Sequence, residues 1–161
     1  MFSQKEKDHI LHVKTKIESL GKTWGVYPNG NTIIAGGVFY ALFRETYYND
    51  IDLFTLNGCI TLSALDTNIQ KNSEYLRKNT PQIVSVHRED YLNTIITNYK
   101  TREELIADFD YVHCCVSYDF EKLWISKDAY DAIMRGKLIV NNASRVSEYR
   151  RSKFLKRGLF E

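Results

Sequence analysis

The stretch Thr32-Ile-Ile-Ala-Gly-Gly-Val-Phe-Tyr-Ala-Leu-Phe-Arg44, followed six residues later by Asp50-Ile-Asp-Leu-Phe54, decides the fold. It reads as an apolar strand, a glycine turn, a helix and a second strand whose first and third residues are carboxylates. Side chains of an extended strand alternate between faces, so Asp50 and Asp52 point one way while Ile51 and Leu53 point the other way into a core. Two parallel carboxylates on a rigid strand offer hard oxygen donors. Magnesium favours such donors, commonly taking one or two protein carboxylates and leaving its other positions to water and substrate phosphates. This is the donor set of a phosphoryl-transfer centre.

The glycines agree with that reading. A Gly-Gly pair between strand and helix permits positive φ and puts no Cβ in the way of a phosphate. The following helix start has unpaired N–H groups and the positive end of its dipole, so an anion is favoured beside Gly36 and Gly37. An Asp-x-Asp pair alone is a short motif, and Asp108-Phe-Asp110 repeats it. The ordered combination of strand, diglycine, helix and apolar-flanked carboxylates carries the argument.

Gly36-Gly37, twelve intervening residues and Asp50-Ile-Asp52-Leu-Phe together resemble the signature of the nucleotidyltransferase superfamily, the DNA polymerase β-like fold. The resemblance implies a third carboxylate on a neighbouring strand. Asp110 in Phe109-Asp-Tyr111 matches best, opening the strand-like run Tyr111 to Tyr118, with Asp108 and Asp119 as rivals. The remainder is similar to small nucleotidyltransferase-like proteins of viruses and bacteriophages, which end in a basic helix like Arg150-x-x-Lys153-Phe-x-x-Arg157. Members that add nucleotides to transfer RNA carry an arginine three residues beyond the second glycine. Tyr40 stands there in this chain, and Arg44 is the first arginine after it.

On this resemblance the fold is α+β, a mixed central sheet with flanking helices in a minimal nucleotidyltransferase form. The implied activity is transfer of a nucleoside monophosphate from a nucleoside triphosphate, such as ATP, to an acceptor hydroxyl on RNA or protein. Asp50 and Asp52 would hold a nucleotide-bound Mg2+ or Mn2+ and bridge to a second ion. Asp110 would complete the second site and help remove the acceptor proton. Gly36, Gly37, Arg44, Lys153 and Arg157 are the candidate nucleotide-binding residues.

Length and composition fit one compact domain spanning residues 1–161. A chain of 161 residues, 43% hydrophobic and 26% charged, buries one core, as ordinary globular domains do. No run approaches the roughly 18 apolar residues of a membrane span. The N-terminus lacks the apolar segment of a secretory signal, so a cytoplasmic location is expected, the host cytoplasm for a viral protein. Three cysteines, two of them adjacent, suit reduced thiols, and His113-Cys-Cys115 lacks the paired spacing of a zinc site. His9 and His12 read as surface residues.

Along the chain, Ser3-Gln-Lys-Glu6 is a capping box, and Ile10, Val13, Ile17 and Leu20 recur on one helical face before Gly21, read as its stop. Pro28-Asn-Gly30 reads as a turn, and Phe39, Leu42 and Phe43 as the buried stripe of the second helix. Asn57-Gly58 reads as a hairpin turn into a strand over 59–62, and 66–78 as a polar helix. Ile83 to Val86 reads as a strand, Tyr91 to Tyr99 and Arg102 to Ala107 as helices. Trp124-Ile125 reads as a short strand, Lys127 to Met134 as a helix, and Leu138 to Val140 as a short apolar run. Without regular βαβ alternation, helices are expected on one side of the sheet.

The C-terminal stretch, expected to be helical at about 144–158, separates charge. Six basic residues against Glu148 give residues 145–157 a net +5 where the whole chain carries +2, leaving −3 for the remainder. Clustered Lys and Arg suit a phosphate-rich partner or the triphosphate itself, although a charge run is also commonly a solvated face. Two functional classes follow: an active transferase, whose acceptor RNA or protein arrives in trans, and an inactive module that binds nucleotide, nucleic acid or a partner protein.

Overall fold

The computed structural model describes residues 1–23, 30–58 and 82–161. Helix α1 spans Gln4–Thr23. Its capping box is reciprocal, with Glu6 N donating to Ser3 Oγ at 3.1 Å and Ser3 N to Glu6 Oε1 at 2.8 Å. Gly21 does not stop the helix. It lies buried within it, where a Cβ would meet the Phe120 ring at an ordinary contact distance of 3.5 Å.

The remaining α-helices and strands among the described residues are β1 Thr32–Ala35, α2 Val38–Arg44, β2 Ile51–Thr55, β3 Ile83–Glu89, β4 Leu92–Thr97, α3 Arg102–Ala107, β5 Val116–Tyr118, β6 Leu123–Ile125, α4 Lys127–Arg135 and α5 Glu148–Lys156. The strands form one mixed sheet in the order β3-β4-β2-β1-β5-β6, with β2 and β4 parallel and the other pairs antiparallel. An α+β fold with a mixed sheet and flanking helices is therefore observed.

Strand alternation divides the core. Ile34, Ile51, Leu53, Val116 and Tyr118 face α1, α2 and α4, whose Val13, Ile17, Phe39, Phe43 and Ile133 cover them. Ile33, Ala35, Phe54, Val86 and Ile95 point to the opposite face, where Tyr99 and Leu105 of α3 and its approach pack. Helices are thus not confined to one side. A third cluster, Tyr111, Cys114, Leu138, Phe154 and Leu159, seats α5 against the segment after α3.

Two expected elements take another form. Tyr91 to Tyr99 is not a helix: Leu92–Thr97 is strand β4, aligned with β2 on one side and β3 on the other. Asp110 does not open a long strand, because Val112–Cys114 forms a 3-10 turn and only Val116–Tyr118 joins the sheet. His9 is not a surface residue; its ring nitrogens sit 2.9 Å from the Tyr130 hydroxyl and 3.1 Å from the Phe43 carbonyl oxygen, pinning α1 to α2 and α4. The strand expected at 59–62, the helix at 66–78 and most of the turn at Pro28 lie outside the described residues. Asn57 and Gly58 both have positive φ, as a tight turn requires. Among the described residues, no helix is long and apolar enough to cross a membrane.

Candidate active site

Because Ile51 and Leu53 are committed to the helical core, alternation sends Asp50 and Asp52 to the opposite face of the sheet beside Phe54. The β1–α2 turn passes over them. Gly36 has φ +95°, and a Cβ on it would lie 4.0 Å from Asp52 Oδ2, so the diglycine bend stands beside the Asp52 carboxylate. Only Gly36 uses the left-handed region. Gly37 has helical angles, is exposed and caps α2.

A polar row crosses the sheet at this level. Asp52 on β2 is in register with Asn93 on β4, and Asn93 with Arg88 on β3. Asn93 Nδ2 donates to Asp50 Oδ2 and to Asp52 Oδ1, each at 2.9 Å. Arg88 Nη1 lies 3.7 Å from Asp50 Oδ2. Burial raises the Asp52 pKa above the ordinary carboxylate value; the Asn93 hydrogen bond opposes this and the Asp50 charge adds to it.

These residues line a cleft of about 490 Å³. Gly36, Gly37, Asp50, Asp52, Asn93 and Arg88 form one end. Phe54, Val86, Ile95 and Phe109 form an apolar floor, and Arg150 and Lys153 of α5 close the side. Burial, then the nearby Arg157 and Arg150, lower the Lys153 pKa.

Asp110 lines the same cleft but is engaged elsewhere. It is 5% exposed, accepts from Tyr111 N at 3.0 Å and pairs with the Arg150 guanidinium through Nε and Nη2. Its rival Asp108 accepts from the Tyr99 hydroxyl at 2.7 Å, from Asn142 at 3.1 Å and from Arg145 at 3.2 Å. Asp119 caps the turn before β6, taking the N–H groups of Glu121 and Lys122 and the Trp124 indole, and it does not line the cleft. Among the described residues, no three His, Cys, Asp or Glu side chains form a group that could hold a metal ion. The strand carboxylates stand as a pair with Asn93, and Asp110 stands with Arg150.

Arg44 is not brought to the cleft. Its Nη1 donates to the carbonyl oxygens of Ile133 and Met134 at 3.0 Å each, capping the end of α4, and its guanidinium lies over the Tyr40 ring. Arg157 is exposed at the end of α5 and does not line the cleft, whereas Lys153 does. Burial pushes the Cys114 thiol up to about 12, which makes it inert as a nucleophile although it borders the cleft.

Asn93 and Arg88 are the residues that sequence reasoning missed. Their one local signal is polarity inside an apolar strand run, and it acquires meaning only once the β2–β4 register is known. The donor chemistry suits a hard divalent ion: two aligned carboxylates leave positions for water and phosphate oxygens.

The fold is similar to that of known CCA-adding enzymes. The Thermotoga maritima CCA-adding enzyme complexed with tRNA superposes with a TM-score of 0.53 at 17% identity, over 100% of this chain and 40% of that one. The Bacillus stearothermophilus CCA-adding enzyme in complex with CTP gives 0.54 at 13% identity, over 93% of this chain and 36% of that one. A further CCA-adding enzyme with CTP gives 0.51 at 15% identity, over 93% and 36%. This chain therefore spans well under half the length of these structures, and the likeness is one of fold. No curated protein matches it. The model of the Gabija anti-defense 2 family matches residues 4–136, most of the chain. The chain belongs to the Gabija anti-defense 2 family.

Proposed function

We propose that this protein is a metal-dependent nucleotidyltransferase that moves a nucleoside monophosphate from a nucleoside triphosphate to an acceptor hydroxyl on RNA or protein. The observation that carries this reading is the placement of Asp52 on β2, with Asp50 immediately before the strand, beside the Gly36 bend in a cleft large enough for a nucleotide. The neighbours' complexes with CTP and with tRNA support the substrate class.

Asp50 and Asp52 would hold a divalent cation. Bound there, Mg2+ or Mn2+ supplies Lewis-acid stabilisation of phosphoryl oxygens. The chain's own residues do the positioning. Gly37 leaves the approach to the bend open, and Lys153 and Arg88, both lining the cleft, offset phosphate charge. Because α2 has only seven residues, side-chain cations rather than its dipole carry most of that task. Phe54, Phe109 and Val86 form an apolar surface suited to the base and sugar. Asp110 serves the acceptor proton only after exchanging its Arg150 contact. Catalysis here is orientation and electrostatics, with no covalent intermediate.

The family description favours an acceptor belonging to the Gabija defence, met in the host cytoplasm. A second reading, an inactive binding module, is favoured by the engagement of Asp110 with Arg150. Incubating the purified chain with Mg2+, each α-labelled triphosphate and host lysate separates the two. Label in RNA or protein supports the transferase; nucleotide binding by calorimetry without label transfer supports the module.

A further inference from the structure

Asn93 binds both strand carboxylates with one amide group. An ionised carboxylate only accepts hydrogen bonds, so the NH2 end of Asn93 must face Asp50 and Asp52, and both of its N–H bonds are committed. Two like charges on alternate residues of one strand repel, and the amide spans them from the neighbouring strand. The register Asp52–Asn93 across a parallel pair fixes this fork, since shifting β4 by one residue would turn Asn93 to the other face. The cleft as a whole is charge-balanced: four aspartates line it against three arginines and Lys153. A free divalent ion therefore meets only two available carboxylates in a neutral environment, and affinity for a hard cation grows with the number of ligating charges.

We propose that Asn93 is the positioning residue of the metal site, holding Asp50 and Asp52 parallel in the ion-free protein and keeping the affinity for a free divalent ion low, so that the ion enters with the triphosphate. The inference rests on the nucleotidyltransferase reading for the ion it places there, but its test needs neither nucleotide nor transfer. With two carboxylates at hand, the remaining oxygens would have to come from the triphosphate, and Asn93 would release its two hydrogen bonds to Asp50 and Asp52 once they held the ion.

The test uses the full chain, with Mn2+ binding followed by electron paramagnetic resonance and melting followed in chelator and in Mn2+. Asn93→Asp is expected to bind Mn2+ at least about tenfold more tightly than the wild type without nucleotide, because a third carboxylate joins the pair. Equal or weaker binding overturns the proposal. Asn93→Ala provides the second arm: it is expected to melt lower than the wild type in chelator and to recover most of the difference in Mn2+, which replaces the lost bridge. An equal deficit in both conditions assigns Asn93 to packing alone and also overturns it. If no label transfer is found but both arms behave as expected, the transferase reading falls and the role of Asn93 stands.

Discussion

Arg150 Nε donates to Oδ2 of Asp110 and its Nη2 lies 3.4 Å from Oδ1, so the helix of the basic C-terminal stretch is fastened to the acid that follows α3. The same guanidinium lies over the Phe154 ring. The positive charge of this helix is therefore spent partly within the molecule. Arg150→Ala leaves a buried carboxylate with the Tyr111 N–H but without its cation. Since the Arg150 side chain is partly exposed, the expected loss is about 1–3 kcal/mol. Urea denaturation reads it directly, and an unchanged midpoint would contradict the pairing.

The two glycines of the bend have different roles. Gly36→Ala forces φ near +95° on a residue with a Cβ and is expected to cost about 1–3 kcal/mol. Gly37→Ala meets nothing within 4 Å and keeps helical angles, so stability should change by less than about 0.5 kcal/mol. Gly37 lines the cleft, and nucleotide affinity measured by calorimetry should fall several-fold. Equal thermal destabilisation by both substitutions would refute this division.

Arg44 is a structural cap. Arg44→Ala removes two hydrogen bonds to the last carbonyls of α4 and a cation–π contact with Tyr40, for an expected loss of about 1–2 kcal/mol. Nucleotide affinity should remain within twofold. A large fall in affinity with stability unchanged would return Arg44 to the triphosphate.

His113 is expected to make stability pH-dependent. It is 1% exposed, and burial lowers its pKa from 6.5 to about 4. The unfolded chain thus binds more protons than the folded chain between these values, and folding stability is complete above pH 6.5 and falls as pH drops toward 4. The size is on the order of 3 kcal/mol for a shift of this extent. His113→Gln should flatten that part of the stability–pH curve, and an unchanged slope would place the titration elsewhere.

The segment from Thr32 to Phe54 was legible because its information is local: apolar strand, glycine bend, amphipathic helix and alternating carboxylates each announce themselves within a few residues. The capping box of α1 and the Ser126 and Thr101 caps of α4 and α3 belong to the same class. β4 was not legible. Leu92, Ile95, Ile96 and Tyr99 recur at spacings that also satisfy a helix, and pairing with β2 and β3, set by tertiary contact, decides for strand. The cost of that misreading falls on the site, since Asn93 and Arg88 join it only through β-sheet register. Arg44 and His9 were obscured for a related reason: their partners on α4 lie about ninety or more residues away in sequence. Asp110 lines the cleft, and its engagement with Arg150 depends on where α5 docks, a matter of the Tyr111–Phe154 cluster rather than of the motif around it.

The central claim is that Asp50 and Asp52 are the metal-holding pair of a nucleotidyltransferase, and transfer of label from an α-labelled triphosphate in Mg2+ and host lysate, compared between the wild type and Asp52→Asn, tests it most directly. Label in RNA or protein is expected with the wild type and a loss of at least about a hundredfold in the variant, with the melting temperature preserved, because each step depends on charge held at that strand position. Transfer that survives Asp52→Asn and Asp50→Asn together at the wild-type rate would contradict it.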